Sequence, residues 1–225
     1  MRVRLHNLAA KRPVSEDLEA VIELMHECEK ADKGFVEKTE ESLRERWQAA
    51  HFNLNADAWL ITTNKGHIAG YSDVWRMENG RLRASVYVHP AYRGRGVGTL
   101  LLWLNEERAR QLMWGIPAHI QVSLQYIVDG THRTAKRLLE REGYHCERPF
   151  WRVHINMNTS FLQELNNGKE GETLAVELVV DPEKAAATPG NKPYAARQYC
   201  TYEKVLRAAV KAEKVVKEEH HYVSA

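Results

Sequence analysis

The sequence predicts a mixed α/β fold in which one central sheet is covered by helices on both faces. Three observations carry that expectation. Residues 86–101 read as a β-branched strand, a proline stop, a turn with glycine at every second position, and an apolar helix. Asn64-Lys65-Gly66 and Glu78-Asn79-Gly80 are tight-turn signals that close two successive hairpins. Apolar periodicity gives the order βααβββαβαβ, and helices between the later strands must cover both faces of the sheet.

Each element has its own signal. Residues 2–9 read as a short strand. Ser15 reads as an N-cap with Glu16 and Asp17 in the first turn, and Leu18, Val21, Ile22, Leu24 and Met25 form the buried stripe of a helix to about Lys30. A loop through Asp32, Lys33 and Gly34 leads to a second helix, capped near Thr39 and running through Leu43 and Trp47. Strands follow at 58–63, 68–77 and 82–88. Val97, Leu100, Leu101, Leu104 and Ala109 give a long helix its apolar face, which ends before Gly115-Ile116-Pro117. Residues 119–126 read as a strand, and about 131–142 as a helix stopped by Gly143. Residues 144–157 are strand again, with a bend expected at Pro149. Beyond residue 157 the chain reads as an extension. It holds a strand near 173–180, a loop, and an amphipathic helix over about 202–219 traced by Val205, Ala209, Ala212 and Val216. Mixed charge suits that helix to docking or dimerisation rather than to nucleic acid.

The glycine turn is built for a charged ligand. Gly94, Gly96 and Gly98 leave the backbone bare, and the helix behind them directs unpaired N–H groups and its positive dipole end at the same place. Arg93 and Arg95 add formal charge, completing a pyrophosphate cradle. A Walker loop needs Lys-Ser/Thr after the last glycine, where Thr99-Leu100 stands. A dinucleotide fingerprint needs a third glycine at Thr99 and an acid about 20 residues on. Neither fits.

Arg93-x-x-Gly96-x-Gly98, preceded by Val-x-Val-x-Pro, resembles the Arg/Gln-x-x-Gly-x-Gly/Ala signature of the GNAT N-acetyltransferase superfamily. Ala135-x-x-Leu138-Leu139, closing on Gly143-Tyr144, resembles that family's last helix. His132 stands at its asparagine position and Leu139 at its tyrosine position. With Phe150-Trp151-Arg152-Val153 behind it, the stretch is most similar to single halves of the tandem acetyltransferases related to mycothiol synthase. The resemblance covers residues 2–157 and implies a mostly antiparallel GNAT-type sheet, with 158–225 as an added extension. It also implies acetyl-CoA as co-substrate and direct acetyl transfer to an amine of a small molecule or peptide. The pyrophosphate would rest on the backbone of Arg93, Gly94, Arg95, Gly96, Val97, Gly98 and Thr99. The main chain of Val86, Tyr87 and Val88 would pair with the pantetheine amides, beside His132.

Transfer also needs acid–base groups. Leu139 cannot protonate the departing thiolate, so Tyr126 and Tyr87 become the candidates for the acid. Strand 82–88 lacks the glutamate of many relatives, which leaves Asp73, between Tyr71 and Trp75 on one strand face, as the candidate base. The alternative for Asp73 is a solvated acid on an edge strand. Glu29 and Asp32 lie where relatives contact the acceptor. A backbone N–H at a distortion of the strand ending at Val88 would serve the thioester oxygen. Without turnover, the same fold would act as an acyl-CoA-binding module or as a platform for a partner.

Composition narrows the classes. The 225 residues suit one domain with an extension, and 44% hydrophobic with 28% charged residues is the balance of a water-soluble globular chain. A net charge of +2 gives no case for nucleic acid or an acidic membrane surface. Arg2, Arg4, Lys11 and Arg12 surround no long apolar run, so a secretory leader is not expected, nor is a membrane span. Cys28, Cys146 and Cys200 are odd in number and far apart, against a disulfide framework and against a cysteine metal site. A cytoplasmic protein without a metal is the expectation.

Overall fold

Turn chemistry sets the first half of the sheet. In the computed structural model, which describes residues 7–156, 175–180 and 194–210, β2 (Ala58–Thr63), β3 (Ile68–Arg76) and β4 (Arg81–Val88) form an antiparallel meander. Asn79 and Gly80 sit at φ 56° and 74°, the paired positive values that match the twist of flanking strands. β1 (Leu8–Lys11) pairs with β2; it shares Leu8 and Ala9 with the expected strand at 2–9 and runs on to Lys11, and residues 1–6 are outside the described range.

Helices cover the two faces. α1 (Leu18–Lys33) and α2 (Glu40–Gln48) bury Val21, Ile22, Leu24, Met25 and Leu43 against Ala58, Leu60 and Tyr71. Ser15 does not cap α1. It begins a 3-10 turn, Ser15–Asp17, in which Asp17 accepts from the Val14 N–H at 2.9 Å. Thr39 does cap α2, its hydroxyl accepting from Ser42 N–H at 3.2 Å. On the other face α4 (Val97–Met113) and α5 (Arg133–Arg141) pack Leu102, Ala109, Leu112 and Leu139 on Leu82, Leu124 and Tyr126. A single turn, α3 (Leu54–Asp57), precedes β2.

The second half of the sheet departs from the sequence reading. β5 is Val122–Asp129, three residues later than 119–126, because Ile120 N–H closes a turn on the Pro117 carbonyl. Tyr126 is therefore central in the strand rather than at its end. β6 (His145–Asn156) is irregular between Cys146 and Arg148, just before Pro149. β7 (Ala175–Val180) is a strand as expected, but it pairs with β6 at the sheet edge.

The strand that fills the gap between β5 and β6 is β8, Tyr194–Arg207. Residues 202–207 are thus strand and not helix, while 211–219 lie outside the described residues. Alternation explains the outcome. Cys200 and Tyr202 enter the core, Lys204 and Leu206 follow on the same face, and Val205 points away, 45% exposed. The helical face expected to dock or dimerise loses Val205 to this strand. The order is β1-β2-β3-β4-β5-β8-β6-β7, antiparallel except for β4 with β5. The sheet does not stop at residue 157, since β7 and β8 belong to it.

β8 also joins Cys200 to Cys146 in a disulfide with a Cα–Cα distance of 6.0 Å, contrary to the expectation from spacing. The two cysteines are 54 residues apart in the chain but stand on adjacent strands. Among the described residues no helix is long and apolar enough to cross a membrane.

One buried knot reports where β8 sits. Glu106 of α4 accepts from Lys204 Nζ at 2.7 Å and from Tyr144 Oη at 3.1 Å. A double-mutant cycle on Glu106→Gln and Lys204→Met, read by urea denaturation, is expected to give a coupling of about 1–3 kcal/mol. Zero coupling would mean that β8 does not face α4.

Candidate active site

The site arises where two strands part. β4 and β5 pair in parallel only at Arg81↔Ser123, Leu82↔Leu124 and Arg83↔Gln125. Beyond those pairs β4 continues along β3 to Val88↔Gly70, and β5 continues along β8 to Asp129↔Tyr199. Each strand keeps one partner and loses the other. A cavity of about 740 Å³ occupies the wedge, lined by Ala84 to Val88 on one side and Tyr126 to Asp129 on the other. The main chain of Val86, Tyr87 and Val88 thus borders an open slot. The Val88 carbonyl is taken by Arg93 and Cys28, and the other main-chain groups at the parting need partners, which an extended ligand with amides can supply. The β3–β4 register carries no shift, so the opening comes from divergence and not from the expected distortion of β4.

The glycine turn closes the far end of the wedge. Gly94 and Gly96 take φ 75° and 89°, and Gly96 is the N-cap from which α4 starts. A Cβ at Gly98 would meet Leu138 Cδ2 at 3.2 Å and Val88 Cγ2 at 3.6 Å, so bare backbone lines this part of the cleft. Arg93, Gly94, Gly96, Gly98 and Thr99 line it, whereas Val97 is core and Arg95 is exposed, 5.3 Å over the Tyr92 ring.

Arg93 is not a free phosphate cation. Its guanidinium clasps Asp32 in two hydrogen bonds of 2.6 and 2.9 Å and donates through Nε to the Val88 carbonyl at 3.1 Å. His132 caps α5 by accepting from Ala135 N–H at 3.3 Å, and its Nε2 lies 3.4 Å from Asp32. Asp32 thereby pins α1, the glycine turn and α5 together. Burial raises its carboxyl, but hydrogen bonds and charge from His132 and Arg93 outweigh this and hold it near a pKa of about 2.

Cationic groups that the sequence reading passed over stand elsewhere on the walls. Arg137 and Arg141 of α5 line the cleft, and Arg141 donates to Thr99 Oγ1 at 2.9 Å. Their i,i+4 spacing was the signal for a shared face. Lys38, Arg46 and Arg83 line the opposite wall with Trp75 and Tyr87.

Asp73 lies between Tyr71 and Trp75 on β3, but β3 is interior to the sheet and the side chain is 0% exposed. It accepts from Tyr71 Oη at 3.0 Å, from Arg46 at 3.0 Å and from Ser85 Oγ. It is neither a solvated acid nor a wall of the cleft; Arg46 and Ser85 stand in front of it. Tyr126 does line the cleft, on the α4 face. Its oxygen accepts from Asn105 Nδ2 at 3.2 Å, its hydroxyl also meets that of Tyr144, and burial pushes its pKa up. The structure therefore sets Asp73 and Tyr126 on opposite faces of the sheet. Cys28 also lines the cleft, donating to Val88 O at 3.2 Å, with burial pushing its thiol up to about 11.

Comparison with known proteins agrees with this geometry. Residues 55–146 match the acetyltransferase (GNAT) domain family. A GCN5-related N-acetyltransferase from Sphaerobacter thermophilus shares the fold at a TM-score of 0.70 and 18% identity, covering 92% of this chain and 98% of that one. A GNAT superfamily phosphinothricin acetyltransferase from Sinorhizobium meliloti, in complex with AcCoA, aligns at a TM-score of 0.56 and 16% identity over 97% and 100% of the two chains. The ribosomal-protein-S18-alanine N-acetyltransferase from Escherichia coli gives 0.54 and 12%, over 91% and 97%. No curated protein sequence matches the chain.

The Asp32 pin has a pH signature. A carboxyl depressed in the folded state contributes stability that is present above its ordinary value of 3.8 and lost as pH falls toward 2. Urea denaturation of Asp32→Asn should show the largest deficit against the parent above pH 4, shrinking between pH 4 and 2. A deficit independent of pH would contradict the pin.

Proposed function

From the match of residues 55–146 to the GNAT acetyltransferase domain family, we propose that the protein is an acetyl-CoA-dependent N-acetyltransferase. It moves the acetyl group directly to an amine of a small molecule or peptide. The observation that carries this reading is the parting of β4 and β5 beside the glycine turn, a slot and a cradle at the right ends of one cleft. The Sinorhizobium meliloti relative was solved with AcCoA, which supports the donor.

In this reading pantetheine lies along Val86 to Val88 and the pyrophosphate rests on the backbone from Gly94 to Thr99, with Arg137 and Arg141 supplying charge. The acceptor nitrogen attacks the thioester carbon, the C–N bond forms, and the C–S bond breaks. Tyr126 gives its proton to the departing thiolate and is restored from water. Its raised pKa keeps it protonated at neutral pH. Glu29, Asp32 and Asp129, which line the cleft, are each hydrogen-bonded already, so the amine proton leaves to water. Asp73 is a positioning residue that orients Ser85 and Arg46.

Thiol release from acetyl-CoA should rise above background hydrolysis with at least one member of an amine panel. Tyr126→Phe should lower kcat about tenfold with little change in KM for acetyl-CoA, a modest loss because a thiolate of pKa near 8.5 leaves tolerably well unaided. Acetyl-CoA binding without amine-dependent release would mark a binding module, the reading that Leu139 at the family's tyrosine position favours.

A further inference from the structure

The wall of the cleft on the α1–α2 face carries more positive charge than its neighbours balance. Arg46 is held by Asp73 at 3.0 Å and lies 4.2 Å over the Trp75 ring. Trp75 is the cross-strand partner of Arg83, so the two residues share this face of the sheet. Arg83 donates to Gln125 Oε1 at 3.2 Å, a neutral acceptor, and its buried Nε has no partner. Lys38, in the loop before α2, uses its main-chain N–H on Glu29 Oε2 at 2.9 Å, while its ammonium has no acceptor among the described residues. Glu29 is itself taken up by Lys33 and the Glu37 N–H. Burial, then repulsion from Arg46, lowers the Lys38 pKa; burial, then Arg81 and Arg152, lowers that of Arg83.

Lys38 and Arg83 are half-buried on this wall and neither ammonium nor guanidinium hydrogen-bonds a carboxylate among the described residues, an arrangement that a bound anion would relieve. Their place fixes which ligand that is. Arg83 stands at the last β4–β5 pair, the narrow end of the wedge, opposite the end closed by the glycine turn. Pyrophosphate charge belongs at that far end, and these cations belong where the acyl group and the acceptor meet. They also lie on the sheet face opposite Tyr126, α4 and α5.

We infer that the acceptor is a small amine bearing a carboxylate, held by Lys38 and Arg83 with Arg46 beside them, so that its amine reaches the thioester at the strand parting. This rests on the acetyltransferase reading and narrows its substrate class. A guanidinium fork suits the two carboxylate oxygens, and the Trp75 face supports the carbon skeleton beside it.

Matched triplets test this: the common amino acids, their α-carboxamides and the corresponding decarboxylated amines, each assayed with the full chain and saturating acetyl-CoA. The carboxylate members should lead in kcat/KM by roughly 10- to 100-fold, the worth of one or two charge-assisted hydrogen bonds. Lys38→Met and Arg83→Gln should each cut the ratio of carboxylate to carboxamide at least tenfold. Calorimetry of N-acetyl amino acids against N-acetyl amino-acid amides, with CoA present, should give the same preference as a binding constant, without turnover. Equal or better use and binding of the amides overturns the inference, and CoA binding in the same cell then leaves the acetyltransferase reading intact. Succinyl-CoA outperforming acetyl-CoA by the same factor would also overturn it, because the cations would then serve the donor. Failure of CoA itself to bind would remove the acetyltransferase reading instead.

Discussion

Three residue pairs of parallel strand hold β4 to β5, and the cleft exists because they end at Arg83 and Gln125. A sheet ordinarily satisfies both edges of an interior strand. Here β3 holds one side of β4 and β8 holds one side of β5, so the strands separate without either one unravelling. The wedge is a consequence of pairing and needs no bulge. β3 and β8 hold the two walls separately.

Charge then divides the wedge by position. At the wide end, α4 starts from Gly96 and turns bare backbone toward the space, while Asp32 absorbs the charge of Arg93 and meets His132. That triad ties α1 to the mouth, so Arg93 spends its charge on Asp32 and the cleft there is lined by main chain and by α5. At the narrow end, Asp73 lies behind Arg46 and Ser85 and holds them still. Tyr126 and the cations Arg46 and Arg83 therefore line the cleft from opposite faces of the sheet.

Local features were legible in the sequence. Both hairpins, the strand at 58–63, the Thr39 cap and the glycine turn before α4 follow from short-range chemistry and stand where it puts them. What escaped is non-local. β8 reads as an amphipathic helix because Val205 and Ala209 keep a helical interval, yet a gap between β5 and β6 selects the alternation of Cys200, Tyr202 and Lys204 instead. Arg93 looks like a phosphate ligand until Asp32, 61 residues earlier, is brought beside it. Asp73 lies on the expected face, but only sheet order reveals that its strand is interior. Lys38 and Arg83 carry no signal in one dimension, since charged residues in loops and strands are ordinarily solvated. Their meaning lies in sharing a cavity.

The central claim is that the unpaired stretch of β4 receives the cofactor. Amide hydrogen exchange with and without acetyl-CoA reads it directly. The account predicts slowed exchange confined to Val86 and Val88 on β4 and to the turn from Gly94 to Thr99, with β2 and β3 unchanged. Protection spread over the whole sheet, or none at Val86 and Val88, would contradict it.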